Sequence, residues 1–175
     1  MTKEDIDNKS RRLSIRIREM TIDDIADVFH LGEALFEPEK VPNMYRTWDE
    51  YEVIDLFYGD TEFCLVAEQD DQIIGFALGT TISKSRSAWK YGYLIWLGVT
   101  PEFQRMGIAE RLFQRFKSLM LKEGVRILVV DTEIENKAAI HFFKRQGFTN
   151  PTEHMYLSLN LDYDRHRKKW RENGV

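Results

Sequence analysis

The 175-residue sequence predicts an α/β (α+β) protein with a mixed central sheet flanked by helices. Three observations carry that expectation. Residues 91–99 form a strand-like run, ended by Pro101 and polar neighbours, and lead into a helix with Ile108, Leu112, Phe116 and Leu119 on one face. After that helix, residues 126–131 form a short apolar run that reads as a strand buried on both faces, and so as parallel. Alternating apolar and polar residues at 13–18 and 155–161 add half-buried strands at the two edges of the pattern.

The other elements follow in chain order. Thr21-Ile22-Asp23-Asp24 opens a helix with acid in its first turn, and Ile25, Val28, Phe29, Leu31, Leu35 and Phe36 continue it as an apolar stripe. Pro38 and Pro42 make residues 37–43 a loop. Thr47-Trp48-Asp49-Glu50 has the form of a capping box for a second helix through Tyr51, Ile54, Leu56 and Phe57. Residues 63–68 and 73–82, with Gln69-Asp70-Asp71-Gln72 between them, predict a hairpin. Residues 83–90 are a polar, basic loop. Gly124 is placed to stop the central helix in the left-handed conformation. Asn136 starts a further helix that Gly147 ends. The expected order is β-α-α-β-β-β-α-β-α-β, with a right-handed crossover between the strands at 91–99 and 126–131.

Composition narrows the functional classes. Hydrophobic residues are 43% and charged residues 31%, as in an ordinary globular protein, and the length suits one domain. The expected division is a flexible tail at 1–12, a domain at 13–161 and a basic tail at 162–175. The net charge of −4 argues against a general attraction to nucleic acid or anionic membranes. A basic tail can bind nucleic acid or a membrane surface, but in a chain that is acidic overall it reads rather as a solvated helix or a dimer contact. Cys64 is the single cysteine, which rules out an internal disulfide and a cysteine-based metal cluster, and its apolar neighbours mark it as core. No metal site is expected. No secretory leader and no membrane-length apolar run is seen, so the expected compartment is the cytoplasm.

The candidate site centres on Gln104-Arg105-Met106-Gly107-Ile108-Ala109. At a strand-to-helix turn the first helical amides lack intrahelical partners and the helix dipole adds positive potential. Gly107 lets an anion approach the backbone closely, so the turn suits a phosphate. It is neither a Walker loop nor a dinucleotide fingerprint, because no Gly-Lys-Ser/Thr follows Gly107 and Gln104 and Met106 replace the required glycines.

Val99-x-Pro101-Glu102-x-Gln104-Arg105-x-Gly107-Ile108-Ala109 resembles the [Arg/Gln]-x-x-Gly-x-[Gly/Ala] signature of the GCN5-related N-acetyltransferases. Asn136-x-Ala138-Ala139-Ile140-His141-Phe142-Phe143-x-x-x-Gly147-Phe148 is similar to the second signature of that family, with Phe143 where a tyrosine is usual. The resemblance implies a GNAT-like fold and transfer of an acetyl group from acetyl-CoA to an amine by direct attack. The acceptor would be a protein N-terminus, a polyamine or a small amine; a CoA-binding module without turnover is the alternative, motivated by Phe143. The backbone of residues 104–109 would hold the pyrophosphate. Leu97, Gly98 and Val99 would pair with the pantetheine arm, and Gly98 also fits a bulge or a close approach. Asn136 would contact the arm as well as cap its helix.

Asp131 and Glu133 are the candidate bases, sharing a face if the strand reaches that far, with Glu135 as a spare carboxylate. Tyr93 and Tyr156 are the candidate hydroxyls in place of Phe143. Relatives with a glutamate base on the 91–99 strand have it where this chain is apolar, around Ile95-Trp96. Glu37 and Tyr45 are placed on the acceptor side, and Trp48 and Tyr51 nearby are read as core. His141 is read as exposed or capping.

Overall fold

The structure, a computed structural model, describes residues 15–36, 48–83, 89–153 and 155. Its elements are β1 (Arg16–Glu19), α1 (Ile25–Leu35), α2 (Glu50–Gly59), β2 (Cys64–Gln69), β3 (Gln72–Ser83), β4 (Lys90–Val99), α3 (Ile108–Lys122), β5 (Ile127–Val129) and α4 (Lys137–Arg145). The chain divides into two compact units, Met1–Glu133 and Ile134–Val175. The tails, the 37–43 loop, Thr47, Glu37, Tyr45, Tyr156 and, apart from Met155, the strand expected at 155–161 lie outside the described residues.

In the first unit the strands run in the order β1-β2-β3-β4-β5. The first three pairings are antiparallel and β4–β5 is parallel, so the sheet is mixed as expected. The β2–β3 hairpin turns on Asp70 and Asp71, whose φ values of 50° and 60° are the two positive angles a type I′ turn requires. Alternation along the strands covers both faces. Cys64, Val66, Phe76 and Leu78 join Met20, Val28, Val53 and Phe57 in a core beneath α1 and α2. On the other periodicity, Ile108, Leu112, Phe113, Phe116 and Met120 are the buried residues of α3. Burial pushes the Cys64 thiol up to about 12, so this cysteine is core, as its neighbours predict.

One ion network ties β1 to its neighbours. The Arg18 guanidinium grips Asp24 with two bonds of 2.5 and 2.8 Å and also reaches Glu68. Asp24, only 6% exposed, also accepts from the backbone N–H of Thr21 at 2.7 Å and from its hydroxyl at 2.9 Å. These donors, Arg18 foremost, hold the Asp24 carboxyl down to about 2.

Three local expectations need correction. The N-cap of α2 is Asp49, which accepts from Glu52 N–H at 2.9 Å, so Glu50 is the first helical residue and not the third, as a box begun by Thr47 would make it. Tyr51 is 70% exposed because it follows directly after that first helical residue and points away from the Val53–Phe57 face. β5 is not shut off on both faces: Ile127 and Val129 are 37% and 39% exposed, because β5 is the edge strand of the described sheet.

In the second unit, Asn136 caps α4 by accepting from Ala139 N–H at 3.0 Å. Gly147 (φ 95°) ends it. Gly147 N–H donates to Lys144 O and Phe148 N–H to Phe143 O, each at 3.1 Å, and the Phe143 and Phe148 rings meet at 5.4 Å. That is a complete Schellman motif with its apolar contact. The spacing Phe143-x-x-x-Gly147-Phe148 is therefore what a helix stop demands, and an aromatic ring at 143 meets it with or without a hydroxyl.

Candidate active site

The site is built where β4 and β5 part. Their ladder pairs Tyr91, Gly92 and Tyr93 with Ile127, Leu128 and Val129 and goes no further among the described residues. Beyond Tyr93, the only strand paired with β4 among the described residues is β3. Thr100 N–H donates to Ile74 O at 2.9 Å, toward β3. Backbone groups alternate along an antiparallel strand, so those of Gly98 also face β3 while those of Leu97 and Val99 face the open side. Val99 O is met there by Gln104 Nε2 at 3.2 Å, a side chain rather than a strand. Leu97 and Val99 thus present the edge that the sequence assigned to residues 97–99 together.

Gly98 serves packing instead. A Cβ there would lie 2.7 Å from Leu35 Cδ1 and 3.2 Å from the Phe76 ring, so the close approach is real. The bulge lies elsewhere. Leu78 pairs with Trp96 and Gly79 with Leu94, which leaves Ile95 as the extra residue on β4. Tyr93 and Trp96 oppose Thr80 and Leu78, which are two apart on β3 and share its face. The bulge therefore brings Tyr93 and Trp96, three apart in sequence, onto one face of β4.

At the end of this strand the chain enters the turn that the sequence marks as a candidate anion site. Arg105 and Gly107 both have positive φ, 61° and 84°. The positive angle at a non-glycine residue is a strained conformation of the kind kept at ligand sites. The first intrahelical bond of α3 runs from Arg111 N–H to Gly107 O at 3.0 Å. The amides of Ile108, Ala109 and Glu110 precede it and have no intrahelical acceptor. A Cβ at Gly107 would meet nothing within 4 Å, so the ground before those amides is open. Arg105 and Gln104 are exposed and Met106 is half-buried. These donors suit the phosphates of a coenzyme, and the open edge at Leu97 and Val99 suits an extended amide-bearing arm.

The titratable groups sit on the other side of the bulge. Tyr93 O–H donates to Asp131 Oδ1 at 2.6 Å, so the structure joins a candidate hydroxyl to a candidate base. Strand β5 stops at Val129, so the shared strand face expected for Asp131 and Glu133 does not exist; both are exposed in coil. Trp96 Nε1–H donates to Glu52 Oε1 at 3.1 Å, a contact between β4 and α2 that the sequence reading missed. The two residues are 44 apart in sequence, and no local pattern links them. Trp48 donates from Nε1 to Phe29 O at 2.9 Å and stacks on Phe76, so it is core as expected. His141 is exposed.

A family model described as the acetyltransferase (GNAT) family matches residues 26–148. The chain belongs to this family. Family members use acetyl-CoA as acetyl donor, and the resemblance carried by residues 99–109 and 136–148 is confirmed at the level of family. N-alpha-acetyltransferase 30 of Schizosaccharomyces pombe is 33% identical over 94 residues, covering 50% of this chain. That match spans 57% of the relative's length. Among solved structures, Ard1 from Thermoplasma volcanium superposes with a TM-score of 0.67 at 22% identity, covering 79% of this chain and 85% of the other. The NatC complex bound to Gag peptide and CoA gives 0.68 at 20% identity, with 79% and 87% covered. AAC(6′)-Iy with the bisubstrate analogue CoA-S-monomethyl-acetylneamine gives 0.66 at 18%, with 83% and 98% covered. At these identities the structures establish the GNAT fold. Among the described residues no helix is long and apolar enough to cross a membrane.

Proposed function

We propose that the chain transfers the acetyl group of acetyl-CoA to a primary amine by direct attack, with the α-amine of a peptide N-terminus as the acceptor class. The observation that carries this is the Tyr93–Asp131 pair at the point where β4 and β5 separate. The α-ammonium first gives one proton to water; attack by the free amine then forms the N–C bond and breaks the C–S bond, so a second proton must leave nitrogen and one must reach sulfur. Asp131 takes the proton from the attacking nitrogen, and Tyr93 gives one to sulfur and is reprotonated by Asp131. The net transfer is from amine to thiol. An α-amine, with a reference pKa of about 8, is partly free near neutral pH and asks less of a base than a lysine amine at about 10.4. The match to an N-alpha-acetyltransferase supports the same choice.

The amides of Ile108, Ala109 and Glu110 hold the pyrophosphate, with Arg105 adding charge, and Leu97 and Val99 pair with the pantetheine arm. Glu133 is a second acceptor for the departing proton. Asn136 caps α4 by accepting from Ala139 N–H; its contact with the cofactor arm is what the family resemblance implies. Phe143 brings no hydroxyl, which is the ground for the second reading: a chain that binds CoA without turnover. Thiol release with peptides bearing free α-amines, α-blocked peptides with lysine, and polyamines decides among these. Faster turnover of the free α-amines supports the proposal, and equal or faster turnover of blocked lysine peptides overturns the acceptor class.

A further inference from the structure

The bulge at Ile95 places two hydrogen-bonded carboxylates over one face of β4. Tyr93 holds Asp131 on one side of it, and Trp96 holds Glu52 on the other. The β3 residues opposite Tyr93 and Trp96 are two apart, which sets the two anchors about 7 Å from each other at the usual strand rise. An acetyl-transfer site has work for a carboxylate besides proton removal. The acceptor arrives as an ammonium ion, and something must hold that cation before it loses its proton.

Glu52 is built for that task. Its backbone is fixed by the Asp49 cap. Its indole partner is immobilised: Trp96 lies edge-to-face on Trp48 at 5.1 Å and tilted on Phe36 at 4.8 Å. A donor that cannot swing aims the carboxylate in one direction, so little is lost in ordering it when a ligand binds. A carboxylate offers about four acceptor positions, of which Trp96 takes one. Glu52 also delivers a carboxylate from α2 to the stretch around Ile95-Trp96, where β4 itself carries none.

We propose that Glu52, oriented by Trp96, is the residue that binds the acceptor's ammonium group; this rests on the acetyl-transfer reading and adds its specificity determinant. Glu52→Gln keeps an oxygen for the indole N–H and removes the charge. It should raise KM for an α-amine peptide about tenfold or more, the scale of one charge-assisted hydrogen bond, with kcat and the KM for acetyl-CoA little changed. Trp96→Phe keeps most of the ring packing and removes the donor, and should give a smaller rise in the same KM.

An unchanged acceptor KM in Glu52→Gln, with the same melting temperature as the parent, makes Glu52 only a partner for the indole and overturns the proposal. A fall in kcat with KM unchanged moves Glu52 into the chemistry and overturns it equally. If the unmodified protein releases no thiol with any amine, the acetyl-transfer reading fails first and this inference goes with it. A KM effect can appear only where that reading holds, so the two failures are distinct.

Discussion

Gly107 tests the phosphate site, through a pair of substitutions that separate folding from binding. Its φ of 84° costs an L-residue about 1–2 kcal/mol, while a Cβ there meets nothing within 4 Å. Gly107→Ala should therefore lose about that much stability and no more, a fall in Tm of roughly 2–8 °C for a chain of this size. Gly107→Glu carries the same backbone strain and adds a negative charge in front of the Ile108, Ala109 and Glu110 amides. At about 5 Å and an effective dielectric of 20, one unit charge repels another by about 3 kcal/mol, roughly a hundredfold in affinity. Calorimetric titration with CoA should show Gly107→Ala binding within about tenfold of the parent and Gly107→Glu weaker by at least about a hundredfold. Equal affinities for Gly107→Glu and the parent, both folded, would refute the placement of the pyrophosphate.

Other consequences follow from the same geometry. Asp24 is held at about 2 in the folded state, below its ordinary 3.8, so its contribution of about 2 kcal/mol is present above pH 4 and is lost as pH falls toward 2. The stability gap between the parent and Asp24→Asn, measured by urea melts, should close over that interval; a constant gap contradicts the Arg18 pairing. Tyr93→Phe should lower kcat about 10²–10⁴-fold with CoA affinity unchanged, the range for one positioned proton-transfer group. An unaltered kcat removes Tyr93 from the chemistry. Phe143→Tyr should raise kcat no more than about tenfold on the scale of a single donor.

Much of this was legible in the sequence for physical reasons. The strand ended by Pro101, the turn at Gly107 and the apolar face of α3 lie within one local stretch, and local patterns read well there. Gly124 and Gly147 stop their helices as expected; Gly124 has the expected positive φ, 74°, and Gly147 has one of 95°. What was not legible depends on register. Gly98 attracted the bulge reading because it is a glycine, yet the extra residue is Ile95, set by how β3 and β4 pair. Tyr93 and Asp131 were separate candidates until the parallel pairing of Tyr93 with Val129 placed them side by side. Glu52 carried no signal, since its partner Trp96 stands 44 residues away and no local pattern links the two. Tyr51 sat in an apolar pattern, but the shifted cap at Asp49 turned it to solvent.

The most direct test of the account is a single-turnover reaction of the unmodified protein with acetyl-CoA and a peptide bearing a free α-amine. The account predicts thiol release matched mole for mole by acetylated peptide, with Phe143 in place. Tight binding of acetyl-CoA without any acetylated product, and turnover appearing only in Phe143→Tyr, would contradict it and leave a CoA-binding module instead.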